Sequence, residues 1–185
     1  MTPESSLPAR IVRLLRYDLP LHVALRLTNW LPDNVPFLRL RGAVAGLFLG
    51  QCGRNFRLGR NVSFYNAERI RVADDVYVAY GCWFSATDSI EIGSEAVLGP
   101  YCVVVSSSHT REGGSFRYGE ARAARTRIGA GAWLAAHVTV SAGSTVGKGS
   151  LVGANSVVLG ELPADVFAAG APARVLRRLS DGQED

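Results

Sequence analysis

Between Ile128 and Val158 an aliphatic residue returns every six positions: Ile128, Leu134, Val140, Val146, Val152 and Val158. The position after each is mostly tiny (Gly129, Ala135, Ser141, Gly147, Gly153). The position two before each is small or β-branched (Thr126, Ala132, Val138, Ser144, Ser150, Ser156). Neither the 3.6-residue period of a helix nor the two-residue period of a strand produces this spacing, so the pattern is a structural repeat. A hexapeptide period predicts an all-β architecture, a parallel β-helix in which three short flat faces close one triangular coil of about 18 residues. The aliphatic side chain points into the prism and stacks on its equivalent in the next coil. Its small neighbours leave room for the backbone to turn the corner.

The same beat begins near Cys52, with Leu58, Phe64, Val72, Val78, Phe84, Ile92, Leu98 and Val104 as inward residues. Two steps are eight residues long, Phe64 to Val72 and Phe84 to Ile92. Each contains an extra isoleucine, Ile70 and Ile90, twenty residues apart. An identical bulge on successive coils keeps the stack in register. Cys82 and Cys102 share that separation and read as stacked core neighbours rather than a disulfide. The beat stops between Val105 and Thr126, so residues 106–127 are expected to protrude as a polar loop, the kind of insertion that carries function on a compact repeat. After Val158 the chain is expected to leave the prism, which then spans 51–163. Pro172 is expected to open a short C-terminal helix within 164–185, and the tail from Ser180 is expected to fray.

Residues 1–50 do not repeat. Pro8, Pro20 and Pro36 each stand where a helix can begin, and Ile11/Leu14/Leu15, Leu21/Ala24/Leu25 and Phe37/Leu40/Val44/Leu47 supply apolar faces. Arginines at 10, 13, 16, 26, 39 and 41 outnumber Glu4, Asp18 and Asp33. The plain reading is a helical cap that covers the first open coil. The sharper reading, compatible with it, is a basic amphipathic surface resting on an anionic membrane.

Composition narrows the field modestly. At 185 residues and 48% hydrophobic the chain suits one domain with a real core. A net charge of +4 and pI near 9.2 permit a phosphorylated cofactor or a membrane surface without demanding nucleic acid. Cys52, Cys82 and Cys102 lack CxxC spacing, so no metal site is expected. With no apolar run near the roughly 20 residues of a membrane span and no secretory signal, the default location is the cytoplasm. Of the three histidines, His22 falls in the cap and His137 on a regular repeat. His109 ends a coil face where the loop departs. Such a place suits a general base working near neutral pH, although spacing alone leaves its role open.

Hexads of the LeuGly, IleGly and ValGly kind, a loop opened by SSSHT, the run IGAGAWLAAHVTVSAGSTVGKGSLVGANSVV and the ending AAGAPARVLRRL together resemble the left-handed β-helix acyltransferases. The nearest branch holds galactoside, maltose and nodulation-factor O-acetyltransferases with related polysaccharide acetyltransferases, and the likeness covers residues 52–178. The resemblance implies a left-handed coil, a homotrimer with active sites between subunits, and transfer of acetyl from acetyl-CoA to a hydroxyl of a saccharide or similar metabolite. An amino-sugar N-acyltransferase or a non-catalytic coil are the alternatives. By the same resemblance His109 is the catalytic base, Ala136 and Ala154 line the pantetheine groove, and Arg174, Arg177 and Lys148 meet CoA phosphates. The acceptor positions are Ala79, Tyr80, Trp83 and Asp88, with Tyr65 and Thr87 beside them. Ala79 stands where the family's sugar enzymes have asparagine, so the acceptor half departs from the pattern, and Leu159-Gly160 replaces an expected Thr-Lys pair, which leaves one cofactor contact missing or replaced. A γ-type carbonic anhydrase, which shares the coil, needs three histidines with a pair five apart. His109 and His137 are 28 apart with no third on the prism.

Overall fold

The structure is a computed structural model that describes residues 7–180. Glu4 and the tail beyond Ser180 lie outside them. Strands stack in about six turns as a left-handed parallel β-helix with three faces. Face A runs through Gln51–Cys52, Ile70–Val72, Ile90–Ile92, Thr126–Ile128, Thr145–Val146 and Glu161–Leu162. Face B runs through Arg57–Leu58, Tyr77–Val78, Val97–Leu98, Trp133–Leu134, Leu151–Val152 and Val166–Gly170. Face C runs through Ser63–Tyr65, Trp83–Ser85, Val103–Val105, Thr139–Val140 and Val157–Val158.

The inward residues read from the six-residue beat are buried, apart from half-buried Phe64, which stacks on Phe84 with centroids 5.3 Å apart. Ile70 and Ile90 pair in register and are fully buried, so the eight-residue steps are one bulge repeated on two coils. Thr126 takes the same place on the next coil, where its hydroxyl donates to the Val105 carbonyl at 2.7 Å. Cys82 and Cys102 are both buried and free, their thiols donating to the Gly99 and Ala135 carbonyls at 3.2 Å. At the turn between faces B and C the residue three places past each inward aliphatic takes a left-handed backbone: Asn61, Gly81, Tyr101, His137 and Asn155.

The prism does not end at Pro163. Glu161–Leu162 pairs with Thr145–Val146 and adds a sixth strand to face A, and Val166–Gly170 adds one to face B. The step from Val158 to Leu162 is four residues rather than six, which hides the continuation from a hexad count. Buried Ser144 makes the short corner workable. Its hydroxyl donates to the Val158 carbonyl at 3.2 Å and accepts from the Gly160 amide at 3.0 Å.

The expected C-terminal helix is absent. Ala173–Arg178 is a strand that runs antiparallel to Val166–Gly170. The last parallel strand of face B would otherwise present an open row of amides and carbonyls, and a strand satisfies that row where a helix could not. At the other end, α1 (Leu7–Arg13), a wider π-helical stretch (Leu14–Asp18) and α2 (Leu19–Thr28) form one long helix, followed by α3 (Val35–Gly46). α3 lies directly on the first coil: a Cβ on Gly42 would sit 1.9 Å from the Phe56 carbonyl oxygen. Fully buried Arg41 reaches from α3 to the Leu58 carbonyl at 2.6 Å and to Asp33 at 3.1 Å. The cap therefore meets the carbonyl edge of the first coil with a cation.

Candidate active site

Face C ends at Val105, and there the regular coil is interrupted. Ser107–His109 pairs antiparallel with Ala121–Ala123, so the expected loop is a hairpin arm, and Thr126 and Arg127 already belong to face A. Ser106 anchors its root. This buried hydroxyl accepts from the Asp88 amide and donates to the Asp88 carbonyl, both at 3.0 Å. Thr87 and Ser107 hydroxyls meet at 2.8 Å, and Arg69 donates to the Thr87 carbonyl. At the far end Thr110 bonds the Glu120 carbonyl through both its amide and its hydroxyl (3.1 and 2.7 Å). Gly119 allows that closure, because a Cβ there would fall 1.9 Å from the Thr110 carbonyl oxygen. His109 is thus an exposed side chain on an ordered backbone, opposite Ala121.

The other border of face C carries a second set of candidates. Ala136 and Ala154 occupy successive turns of the face B–face C corner, linked by the Asn155 amide donating to the Ala136 carbonyl at 3.0 Å. Neither has a side chain beyond Cβ, and Ala154 is exposed. The next turn along this edge is Ala169-Gly170, whose partners are Arg174 and Ala173, so Arg174 stands one step past the alanines. Arg177 pairs with Phe167 and lies over its ring at 5.7 Å. Small side chains followed by an exposed guanidinium fit an elongated ligand with an anionic end. Lys148 is not part of this line. It sits at the face A–face B corner, beside a shallow cavity of about 360 Å³ lined also by Arg71, Glu91 and Arg127. Burial raises the Glu91 carboxyl pKa, but its bonds to Arg127 and Arg125 outweigh that and hold it below the usual carboxylate value.

The four acceptor candidates are strung across face C on the second coil. Ala79 is 6% exposed, with its amide bonded to the Leu98 carbonyl, so its side chain is closed to an acceptor. Tyr80 remains half-buried on the same corner, Trp83 is half-exposed on the flat of face C against Tyr65 (5.7 Å), and Asp88 lies at the arm's root. Sequence reasoning missed an aromatic ladder beside Ala136. Tyr80 meets Tyr101 edge-on with centroids 5.4 Å apart, Tyr101 stacks on His137 at 5.0 Å, and Arg60 lies over Tyr80 at 5.7 Å. The signal was present: Tyr101 and His137 sit three places past Leu98 and Leu134, where the backbone must turn outward in a left-handed conformation.

With the coil and its interrupted border in view, likeness to known proteins can be weighed. The pattern of the bacterial transferase hexapeptide family (six repeats) matches residues 125–160. Over those residues the chain carries the repeat of that family. A galactoside O-acetyltransferase of Escherichia coli K12 is 30% identical over 129 residues, which is 70% of this chain and 57% of that relative. The chain thus spans a little under three fifths of that relative's length. Among solved structures, a hexapeptide-repeat acetyltransferase of Vibrio cholerae complexed with acetyl coenzyme A superposes with a TM-score of 0.82 at 23% identity, covering 98% of this chain and 94% of that one. A maltose O-acetyltransferase of Clostridium difficile gives 0.79 at 24% identity, covering 91% and 89%. At these identities the hexapeptide-repeat chain shares their fold.

Proposed function

We propose that this hexapeptide-repeat protein is an acetyl-CoA-dependent O-acetyltransferase, with a saccharide hydroxyl as acceptor and His109 as general base. One observation carries the reading: the break in the coil after Val105 presents an exposed imidazole on a paired hairpin arm, across one face from an alanine-lined edge that leads to Arg174. The name of the galactoside relative and the acetyl-CoA complex of the structural neighbour support the same donor and acceptor classes. Acetyl-CoA supplies an activated thioester. Ala136 and Ala154 leave the strip of coil edge along which its pantetheine would lie, and Arg174 with Arg177 would meet its phosphates. The His109 imidazole takes the proton of the acceptor hydroxyl as that oxygen attacks the thioester carbon, typically a 10²–10⁴-fold contribution. Backbone amides at a coil corner stabilise the oxyanion, and the proton then leaves with the departing thiol. Tyr80, Trp83 and Asp88 line the approach of the acceptor.

The site is completed in a homotrimer. Ala136 precedes face C and His109 follows it, so strand rise alone separates them by on the order of 10 Å or more within one chain. A neighbouring copy closes that gap. Beyond Arg57, face B carries an outward row of Tyr77, Val97, Trp133, Leu151 and Phe167, whereas face A presents Gln51, Arg71, Glu91, Arg127, Thr145 and Glu161. Parallel sheets are usually covered on both sides, and face B is the more apolar of these two. Trp133→Asp is expected to reduce the light-scattering mass from about three chains to the single-chain 19.8 kDa; a mass unmoved by the substitution would place the interface elsewhere.

The test of the function is acetyl-CoA mixed with a pool of sugars and glycosides. Release of free CoA, with one product heavier by one acetyl, is expected. Intact acetyl-CoA across the pool would remove the transferase reading.

A further inference from the structure

The long N-terminal helix has two apolar sides, and the coil uses only one. Leu21 and Leu25 are buried in the core cluster. On the other side Val12, Leu15, Leu19, Val23 and Leu27 follow one another at steps of three or four and are 47–67% exposed, and Trp30 closes the stripe at 79%. Residues 7–30 hold nine of the 21 large hydrophobic residues exposed among those described, so this is a patch and not ordinary surface scatter. Its charge is one-sided. Arg16 and Arg26 have no acidic partner among the described residues, and the one acid of the helix, Asp18, is already paired with Arg13 at 3.5 Å. Among the described residues no helix is long and apolar enough to cross a membrane.

We infer that this face docks the protein onto an anionic membrane surface, with the helix lying in the interface plane. A helix with an apolar stripe, arginines beside it and a terminal tryptophan has the make-up of an interfacial anchor. The apolar stripe enters the acyl boundary, the arginine stems lie along it with their heads at the lipid phosphates, and the indole sits at headgroup level. A second copy of the same face is a poor occupant. It would bring Arg16 and Arg26 against like charges with no free acid on the helix to answer them. Docking stands apart from the chemistry at His109, since it needs neither donor nor acceptor.

The experiment is co-sedimentation of the full chain with vesicles of phosphatidylcholine, with and without phosphatidylglycerol, over a salt series. Binding is expected to require the anionic lipid and to weaken as salt rises. Arg16→Ser with Arg26→Ser is expected to lower partitioning by on the order of 30-fold. Leu27→Ser with Trp30→Ser is expected to lower it by at least about tenfold at every salt concentration. Circular dichroism should show both variants folded. No binding at low salt, equal binding to uncharged vesicles, or undiminished binding by both variants would each overturn the proposal. So would a change of oligomeric mass in the Leu27→Ser, Trp30→Ser variant, which would assign the face to a second copy.

Discussion

His109→Ala is expected to cut acetyl transfer by at least two orders of magnitude while leaving the melting temperature and the oligomeric mass where they are. The kinetic loss follows from the role: without the imidazole, the acceptor hydroxyl must surrender its proton to water, and positioned proton removal is worth 10²–10⁴-fold. The silence in stability follows from the place. The side chain is exposed, and the arm is held by backbone pairing at Ser107–Ala123 and His109–Ala121, which alanine retains. Exposed substitutions away from caps and networks usually stay within about 0.5 kcal/mol. CoA release monitored beside a thermal melt separates the two effects. A turnover equal to that of the unsubstituted protein would take the proposed base role away from His109, and a collapsed melt would make the residue structural.

Arg41→Met is expected to produce the largest loss of stability. The guanidinium is fully buried and donates to the carbonyls of Leu58 (2.6 Å), Leu31 (3.0 Å) and Thr28 (3.3 Å) and to Asp33 (3.1 Å). Burial pulls its pKa below the ordinary arginine value, and Asp33 works against that pull. Methionine fills similar space but leaves the Leu58 and Leu31 carbonyls unmet, the Thr28 carbonyl with only the Leu31 amide at 3.1 Å, and Asp33 with only Arg60, at 3.5 Å. Breaking one side of a buried ion pair costs about 3–5 kcal/mol. For a chain of this size that is a fall of roughly 6–20 °C in melting temperature. The damage should concentrate at the first coil, because an end turn of a stacked array has a neighbour on only one side. Hydrogen exchange should therefore rise first at Arg57–Tyr65, with the amides near Val140 keeping their protection. An unchanged melt would show that the cap is held on by its apolar contacts alone.

The coil itself was legible from particular residues. Ile128 to Val158 set the period, Ile70 and Ile90 located the repeated bulge, and the silence after Val105 located the arm beside His109. Two structural readings failed for a shared reason. The four-residue step from Val158 to Leu162 is made workable by Ser144, a residue from the previous turn, and Ala173–Arg178 is a strand because Val166–Gly170 offers it an open edge. Nothing local to either segment announces those partners.

What the sequence determined alone is which side chains point inward, because that direction repeats with the local backbone period and needs no knowledge of distant segments. Which residues share a border was decided only by the tertiary structure. Equivalent positions on face A are separated by 20, 20, 36, 18 and 16 residues. Each departure from a constant turn moves every later residue around the prism. That drift puts Ala136, Ala154 and Arg174 along one border and His109 on the opposite border of face C, where stacking, and not spacing along the chain, sets which groups lie near one another.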